Sequence, residues 1–275
     1  MGRVVVLGSL NVDVVTRVES HPRPGETVLG EAAAGRFAGG KGGNQAMAAR
    51  RAGAEVVMVG RVGADDAGAA YLDRLRRRGI RAEVPSSSDA PTGTAFIAVD
   101  EAGENTIVVV AGANRQVGDE SIEAVGLGPG DVLLCSLEVP ADLVARAARL
   151  ADRAGARVVI NLAPYASLPH DVIAIADPVV VNESEMRQLA DSDLIPTSLL
   201  VTFGAAGARW DGEEVSGIRL DESDVVDTVG AGDAFCGALA AALAAGAARR
   251  EALEAANRAG ADAVQWSGAQ PDAAL

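Results

Sequence analysis

Between Asp227 and Asp233 the chain places Thr228, Val229, Gly230, Ala231 and Gly232, and it then runs straight into an apolar helical segment, CGALAAALAAGA. Small residues at 230–232 let a strand-to-helix corner turn sharply and bring successive backbone N–H groups close to a ligand. Those N–H groups are the unpaired donors of a helix N-terminus, where the macrodipole also favours negative charge. Such a corner suits phosphate. A carboxylate at Asp233 would repel that phosphate unless it has a proton to accept. A general base beside a reacting hydroxyl is one resolution; an ordinary capping aspartate in a Gly-rich turn is the other.

A second candidate is FAGGKGGNQAMAARRAGA, residues 37–54. It reads as a glycine-rich loop entering a helix, with the backbone close to a small polar ligand and Lys41 and Asn44 as side-chain donors. A helix start with a solvated lysine is the alternative. The loop is not a Walker motif, because Gly42 follows Lys41 where Ser or Thr is required. A third group, Ser9, Asn11 and Asp13, lies at the carboxyl end of the opening strand. That strand and its turn, VVVLGSLNVD, lack the three-glycine dinucleotide fingerprint, which disfavours hydride chemistry.

The elements that would position these residues follow from periodicity. From residue 131 apolar strands and helical stretches alternate: DVLLCS, a helix over 141–154, RVVINLAP, DPVVVN, a short helix from Glu183, and SLLVTFG. Alternation of this kind implies a mostly parallel sheet with helices on both faces. Ligands in such sheets sit at the carboxyl ends of the strands, where Glu138, Asn161, Asn182 with Glu185, and Thr202 with Gly204 collect. Each of these, taken alone, also reads as a helix cap. EVVMVGRVG (55–63) is a further strand, Asp66 to Arg78 a helix, and Arg249 to Trp266 the last helix. Residues 12–18 and 27–34, and 94–99 and 106–112 joined by the hairpin DEAGEN, are expected to form a small four-stranded sheet. Its open face needs cover from a substrate cleft or a second subunit.

Composition narrows the function classes. The 275 residues are 49% apolar and 3% aromatic, with a formal charge of −14. Neither the basic surface nor the aromatic platforms of a nucleic-acid binder are present, and Arg76 to Arg78 read as the end of a helix. No apolar run approaches the ~20 residues of a membrane span. The chain opens on a strand with no basic leader, so a cytoplasmic location is expected. Cys135 and Cys236 lie in apolar runs and read as core thiols in a reducing compartment. His21 and His170 sit beside prolines in loops, which supports neither a zinc site nor a Ser-His-Asp triad. An acidic protein that handles polyphosphate must neutralise it locally, with amides, a few cations and Mg²⁺.

Seven strings occur in a fixed order: GSLNVD (8–13), PRPGETVLG (22–30), GGKGGNQA (39–46), TGTAFI (92–97), AGAN (111–114), NESE (182–185) and DTVGAGDAF (227–235). Together they resemble the motifs of the PfkB sugar-kinase superfamily, and within it the ribokinase branch, over nearly the whole chain. The resemblance implies a single kinase domain, 1–275, with a three-layer α/β/α, mostly parallel sheet and a β lid from about 12–34 and 93–112. It also implies ATP-dependent phosphorylation of D-ribose at its 5-hydroxyl. Another sugar or a nucleoside as acceptor, and a sugar-binding regulator without catalysis, are the alternatives.

By the same resemblance Asn11, Asp13, Gly39, Gly40, Lys41, Asn44 and Glu138 contact the sugar, and Asp233 is the base, with the amides of Gly230, Ala231, Gly232 and Asp233 as an anion hole. Asn182 and Glu185 order Mg²⁺ through water. Thr202, Gly204, Ala205, Gly207, Gly232 and Asn257 face the nucleotide. A potassium ion is implied at Asp227, Val229, Ala263, Trp266, Gly268 and Asp272, the last standing where serine is usual. The expected partners are the sugar, ATP and a second copy joined through the lid. Two departures from the family pattern bear on the nucleotide half: the connection between Met186 and Leu199 is short, and the chain ends soon after the potassium segment.

Overall fold

The computed structural model describes residues 2–31, 35–102 and 104–275. The Val4–Leu7 strand is hydrogen-bonded in parallel to Val132–Cys135 on one side and to Val56–Val59 on the other. Its four residues are fully buried, and alternate ones serve different cores. Val4 and Val6 face the helices Lys41–Arg51, Ala231–Ala244 and Arg249–Ala263, while Val5 and Leu7 face the layer that contains Ala141–Arg153. A strand buried on both faces reads as a continuous apolar run, and VVVL is one.

The central sheet has nine strands. From Val132–Cys135 it extends outward through Arg157–Asn161, Val179–Asn182 and Leu199–Thr202, all parallel; on the far side Arg81–Glu83 adds to Val56–Val59. The sequence order reverses at Val4–Leu7, so the crevice beside its carboxyl end is a switch point of the kind where α/β sheets take ligands. The expected three-layer architecture is present.

The outer edge is an antiparallel hairpin, Gly207–Trp210 with Glu213–Ser216, which the periodicity reading did not anticipate. Its local signal is the dipeptide Asp211-Gly212, both residues at positive φ, 48° and 88°, as a two-residue hairpin turn demands. Trp210 is fully buried, and its indole nitrogen donates to Ser198 Oγ at 2.7 Å.

The small sheet runs Gly35–Gly39, Asn11–Arg17, Gly93–Val99, Asn105–Val110. Its first strand differs from the expected 27–34. There only Gly30 bridges, to Val18, and Leu29 is 93% exposed, so that stretch has no layer beneath it. Residues 32–34 of that expectation, and Gly103 of the expected hairpin, lie outside the described residues. Antiparallel pairing with Asn11–Val15 instead uses GRFAG, which feeds the GGKGG loop directly. Beyond it the chain end adds a further partner: Ala38 N–H donates to the Ala273 carbonyl at 2.7 Å and Leu275 N–H to the Arg36 carbonyl at 3.0 Å.

The last helix stops at Ala263 rather than Trp266. The Val264 carbonyl is taken by the N–H groups of Val226 and Asp227, which draws the chain into a turn. Among the described residues no helix is long and apolar enough to cross a membrane.

Candidate active site

The Ala231–Ala244 helix opens on Gly230 in the left-handed region, at φ 80°, with a Cβ there only 2.5 Å from Ala269 Cα. Only glycine fits this corner. The Ala231 N–H reaches back to the Thr228 carbonyl at 3.4 Å, whereas the N–H groups of Gly232 and Asp233 have no backbone acceptor among the described residues. Two aligned donors at a helix N-terminus are left for an anion.

Asp233 is buried in the same turn, and its carboxylate does not cap its own helix. Asn44 Nδ2 donates to Oδ2 at 2.9 Å and Gln45 Nε2 to Oδ1 at 3.0 Å. Both donors come from the first turn of Lys41–Arg51, so the glycine-rich loop positions the acid of the distant corner. Lys41 is close enough for the Asp233 charge to raise its ammonium pKa, against the lowering effect of burial.

Across the crevice Asn11 is buried, and its Oδ1 accepts from Asn114 Nδ2 at 2.8 Å; Asn114 Oδ1 in turn accepts from Leu10 N–H at 2.9 Å. Asp13 accepts no hydrogen bond among the described residues. Burial, and then the neighbouring Glu138 carboxylate, push its carboxyl up to about 7. Its side chain lies where a Cβ on Gly39 would fall, so glycine at 39 makes room for it. Glu138 Oε2 accepts from Ser9 Oγ and from Lys41 N–H, the latter at 3.1 Å, which ties the opening strand to the loop and leaves Oε1 for a ligand. Tyr71 closes the floor by donating to the Gly39 carbonyl at 2.7 Å.

Beyond Gly232 the crevice widens into a cavity of about 490 Å³. Thr202, Gly204, Ala205, Gly207, Gly232 and Asn257 all line it; Val225, Val264 and Phe235 supply apolar surface that the sequence reading did not single out. Asn257 Nδ2 donates to the Val215 carbonyl at 3.3 Å. No lining residue falls in the short 186–198 connection, so the wall is built downstream of it.

Asn182 and Glu185 form a reciprocal capping box on Glu183–Ala190: Asn182 Oδ1 accepts from the N–H groups of Ser184 and Glu185, and Glu185 Oε2 accepts from Asn182 N–H at 2.8 Å. The capping alternative is therefore real for this pair. Burial raises the Glu185 carboxyl, with Lys41 opposing and Asp233 adding to the shift, so the box stands within the field of the reacting corner. A partly buried carboxylate with a free oxygen fits a hydrated divalent cation.

Asp227 joins two segments: Oδ1 accepts from Val229 N–H and Oδ2 from Gly268 N–H, each at 2.9 Å. The carboxylate retains lone pairs, and an oxygen-only set fits a hard cation. Ala263 is buried at the end of the last helix, and Trp266 packs under the Arg51 guanidinium at 4.4 Å. Asp272 stands apart: its carboxylate is exposed, 3.6 Å from Arg78, and only its carbonyl turns inward, to Arg74. Among the described residues no cluster of three His, Cys, Asp or Glu side chains surrounds a metal position.

Sequence reasoning assigned no role to Gln45, Asn114, Tyr71, Arg74 or Gln270. The signal for two of them was at hand, since Gln45 and Asn114 lie within GGKGGNQA and AGAN.

A family model described as pfkB family carbohydrate kinase matches residues 1–274. The ribokinase of Bacillus subtilis is 37% identical, with 98% of this chain and 95% of the relative covered. The ribokinase of Schizosaccharomyces pombe is 33% identical, covering 98% and 94%. Among solved structures, Arabidopsis thaliana ribokinase complexed with ribose and ATP superposes with a TM-score of 0.85 at 28% identity, over 98% of this chain and 95% of that one.

Proposed function

The chain belongs to the pfkB family of carbohydrate kinases, and on that premise we propose that it transfers the γ-phosphoryl group of ATP to the 5-hydroxyl of D-ribose. One observation carries the reading: the Asp233 carboxylate and the unpaired Gly232 and Asp233 amides share one helical turn, between the polar crevice and the large cavity. The sugar 5-oxygen bonds to the γ-phosphorus, the bridging β–γ bond breaks towards ADP, and the hydroxyl proton passes to Asp233. The unpaired amides of Gly232 and Asp233 stabilise charge on the transferring group, an effect worth roughly 2.7–4 kcal/mol per donor in acyl transfer.

Asp13 accepts from the sugar hydroxyls and Asn11, whose Oδ1 is taken by Asn114, donates to one through Nδ2, with Gly39, Gly40, Lys41, Asn44 and Glu138 around the ring. Half-buried, unpaired Asp13 supports this role, because hydroxyl donors would satisfy it. Thr202, Gly204, Ala205, Gly207, Gly232 and Asn257 hold the nucleotide. Glu185 with Asn182 would hold Mg²⁺ through water; Asp227 with the carbonyls of Val229, Ala263, Trp266 and Gly268 would hold potassium. When bound, these cations supply positive charge beside the polyphosphate and the anion-hole loop. The names of the curated relatives and the ribose and ATP of the Arabidopsis complex support this acceptor and donor. Neither a different acceptor nor a non-catalytic regulator is favoured.

The lid supports a homodimer. Phe96, Val108 and Val110 on one face of it, and Ile107 and Val109 on the other, are each 45–58% exposed, apolar surface of the kind that proteins cover. Val109→Lys is expected to give a monomer by sedimentation velocity at a concentration where the parent is a dimer; a monomeric parent would discard the dimer. Two buried, unpaired cysteines fit a cytoplasmic setting. The activity itself is tested by ADP release over a panel of pentoses, ketohexoses and nucleosides, with and without potassium. The expected result is turnover on ribose enhanced by potassium, and turnover confined to another acceptor would overturn the assignment.

A further inference from the structure

We propose that Gln270 is a positioning residue for phosphoryl transfer, because a one-way run of hydrogen bonds, Arg74 to Gln270 to Asn44 to Asp233, fixes which end of each amide faces the carboxylate. The inference rests on the reading of Asp233 as the base. Arg74 Nη2 donates to Gln270 Oε1 at 3.0 Å, Gln270 Nε2 to Asn44 Oδ1 at 2.8 Å, and Asn44 Nδ2 to Asp233 Oδ2 at 2.9 Å. All four side chains are buried. A guanidinium only donates and an ionised carboxylate only accepts, so the two ends leave both amides one orientation. Arg74 cannot swing away, because it also donates to the carbonyls of Pro271 and Asp272. The second hydrogen of Asn44 Nδ2 is then left for a sugar oxygen. Other titratable groups facing Asp233 are Lys41, Tyr71 and Glu185 from neighbouring helices and Cys236 from its own; Tyr71 also accepts from Gln270, and none stands between Arg74 and Asp233 in the run.

Glutamate at 270 can accept from Arg74 but cannot donate to Asn44. The Asn44 amide must then turn its NH₂ to position 270 and its oxygen to Asp233, which disfavours the ionised base. For Gln270→Glu the expected result is a fall in kcat of about tenfold or more and an acid limb of kcat, read at saturating sugar so that Asp13 does not set it, moved up by about one pH unit. Gln270→Met, which breaks the run without reversing it, should lower kcat less, leave the limb in place and raise the sugar KM. A packing role alone predicts the opposite order, because glutamate keeps the shape of glutamine and methionine does not. An unchanged acid limb in Gln270→Glu, or Gln270→Met with parental kcat and sugar KM, overturns the proposal. Thermal melting checks that both variants fold; should one fail, the other still decides. Asp233→Asn assayed alongside separates the two ideas. An active Asp233→Asn removes the base itself, whereas an inactive one with a parental Gln270→Glu profile removes only the role of Gln270.

Discussion

Around Asn11, Asp13 and Asp233 the polar side chains are held by partners from remote parts of the chain. Asn11 is held by a residue 103 positions away, Asp233 by one 189 away and Asn44 by one 226 away. The cavity beyond Gly232 is walled instead mostly by glycines and apolar side chains, with Thr202, Arg219, Thr228 and Asn257 as its polar members and Asn257 on a single 3.3 Å hydrogen bond. The polar crevice is a preorganised network in which every group but Asp13 has a partner to lose; the cavity is a shaped slot. In a buried network the removal of one member strands another, so its substitutions cost more than those in a slot lined by methyl groups.

The comparison breaks most directly at the acid. Asp233→Asn is expected to lower single-turnover rate by at least ~10²-fold while equilibrium sugar binding is kept. Rapid turnover in that variant would mean that the corner is only a cap.

Next in size is Asp13→Asn, which should weaken sugar binding by roughly 10- to 10²-fold, as the loss of charge-assisted hydrogen bonds predicts. The same group gives a pH signature of opposite sign in the free protein. Its folded pKa of about 7 exceeds its ordinary 3.8, so the native state holds the proton longer than the unfolded chain. Stability from this group is therefore full below pH ~3.8, declines as pH rises towards 7 and is gone above it. Sugar affinity moves the other way, because the carboxylate is the acceptor. Thermal melts of the parent and Asp13→Asn from pH 5 to 8 should show the variant gaining on the parent as pH rises; parallel curves would remove Asp13 from the sensitive set.

The smallest effect belongs to the slot. Val264→Ala removes apolar wall worth about 1 kcal/mol, roughly a fivefold rise in the ATP KM with the sugar KM unchanged. A loss as large as that of Asp13→Asn would erase the distinction between the two ends.

What the sequence disclosed follows the same division. The parallel sheet was legible because VVVL, VLLC and VVVN are buried runs between helical stretches. The reacting corner was legible because its glycines and acid are neighbours in sequence. Leu29 misled the reading of 27–34, since alternation there reflects no buried face. Asp211-Gly212 carried a hairpin signal that lay unread beside a tryptophan. The roles of Gln270 and Arg74 could not be read locally, because a polar side chain deep in a fold is specified by whatever the tertiary arrangement brings opposite it.

The tail that runs beside Gly35–Gly39 also settles how the lid can grow. With Ala273 and Leu275 occupying that border, the described lid offers an unpaired margin only along Asn105–Val110. A ribbon blocked on one flank can be continued by a single neighbour related by a twofold axis, and addition then ends. Residues 273–275 thereby leave a sticky sheet one open margin in place of two, the difference between a surface open to polymerisation and one suited to pairing.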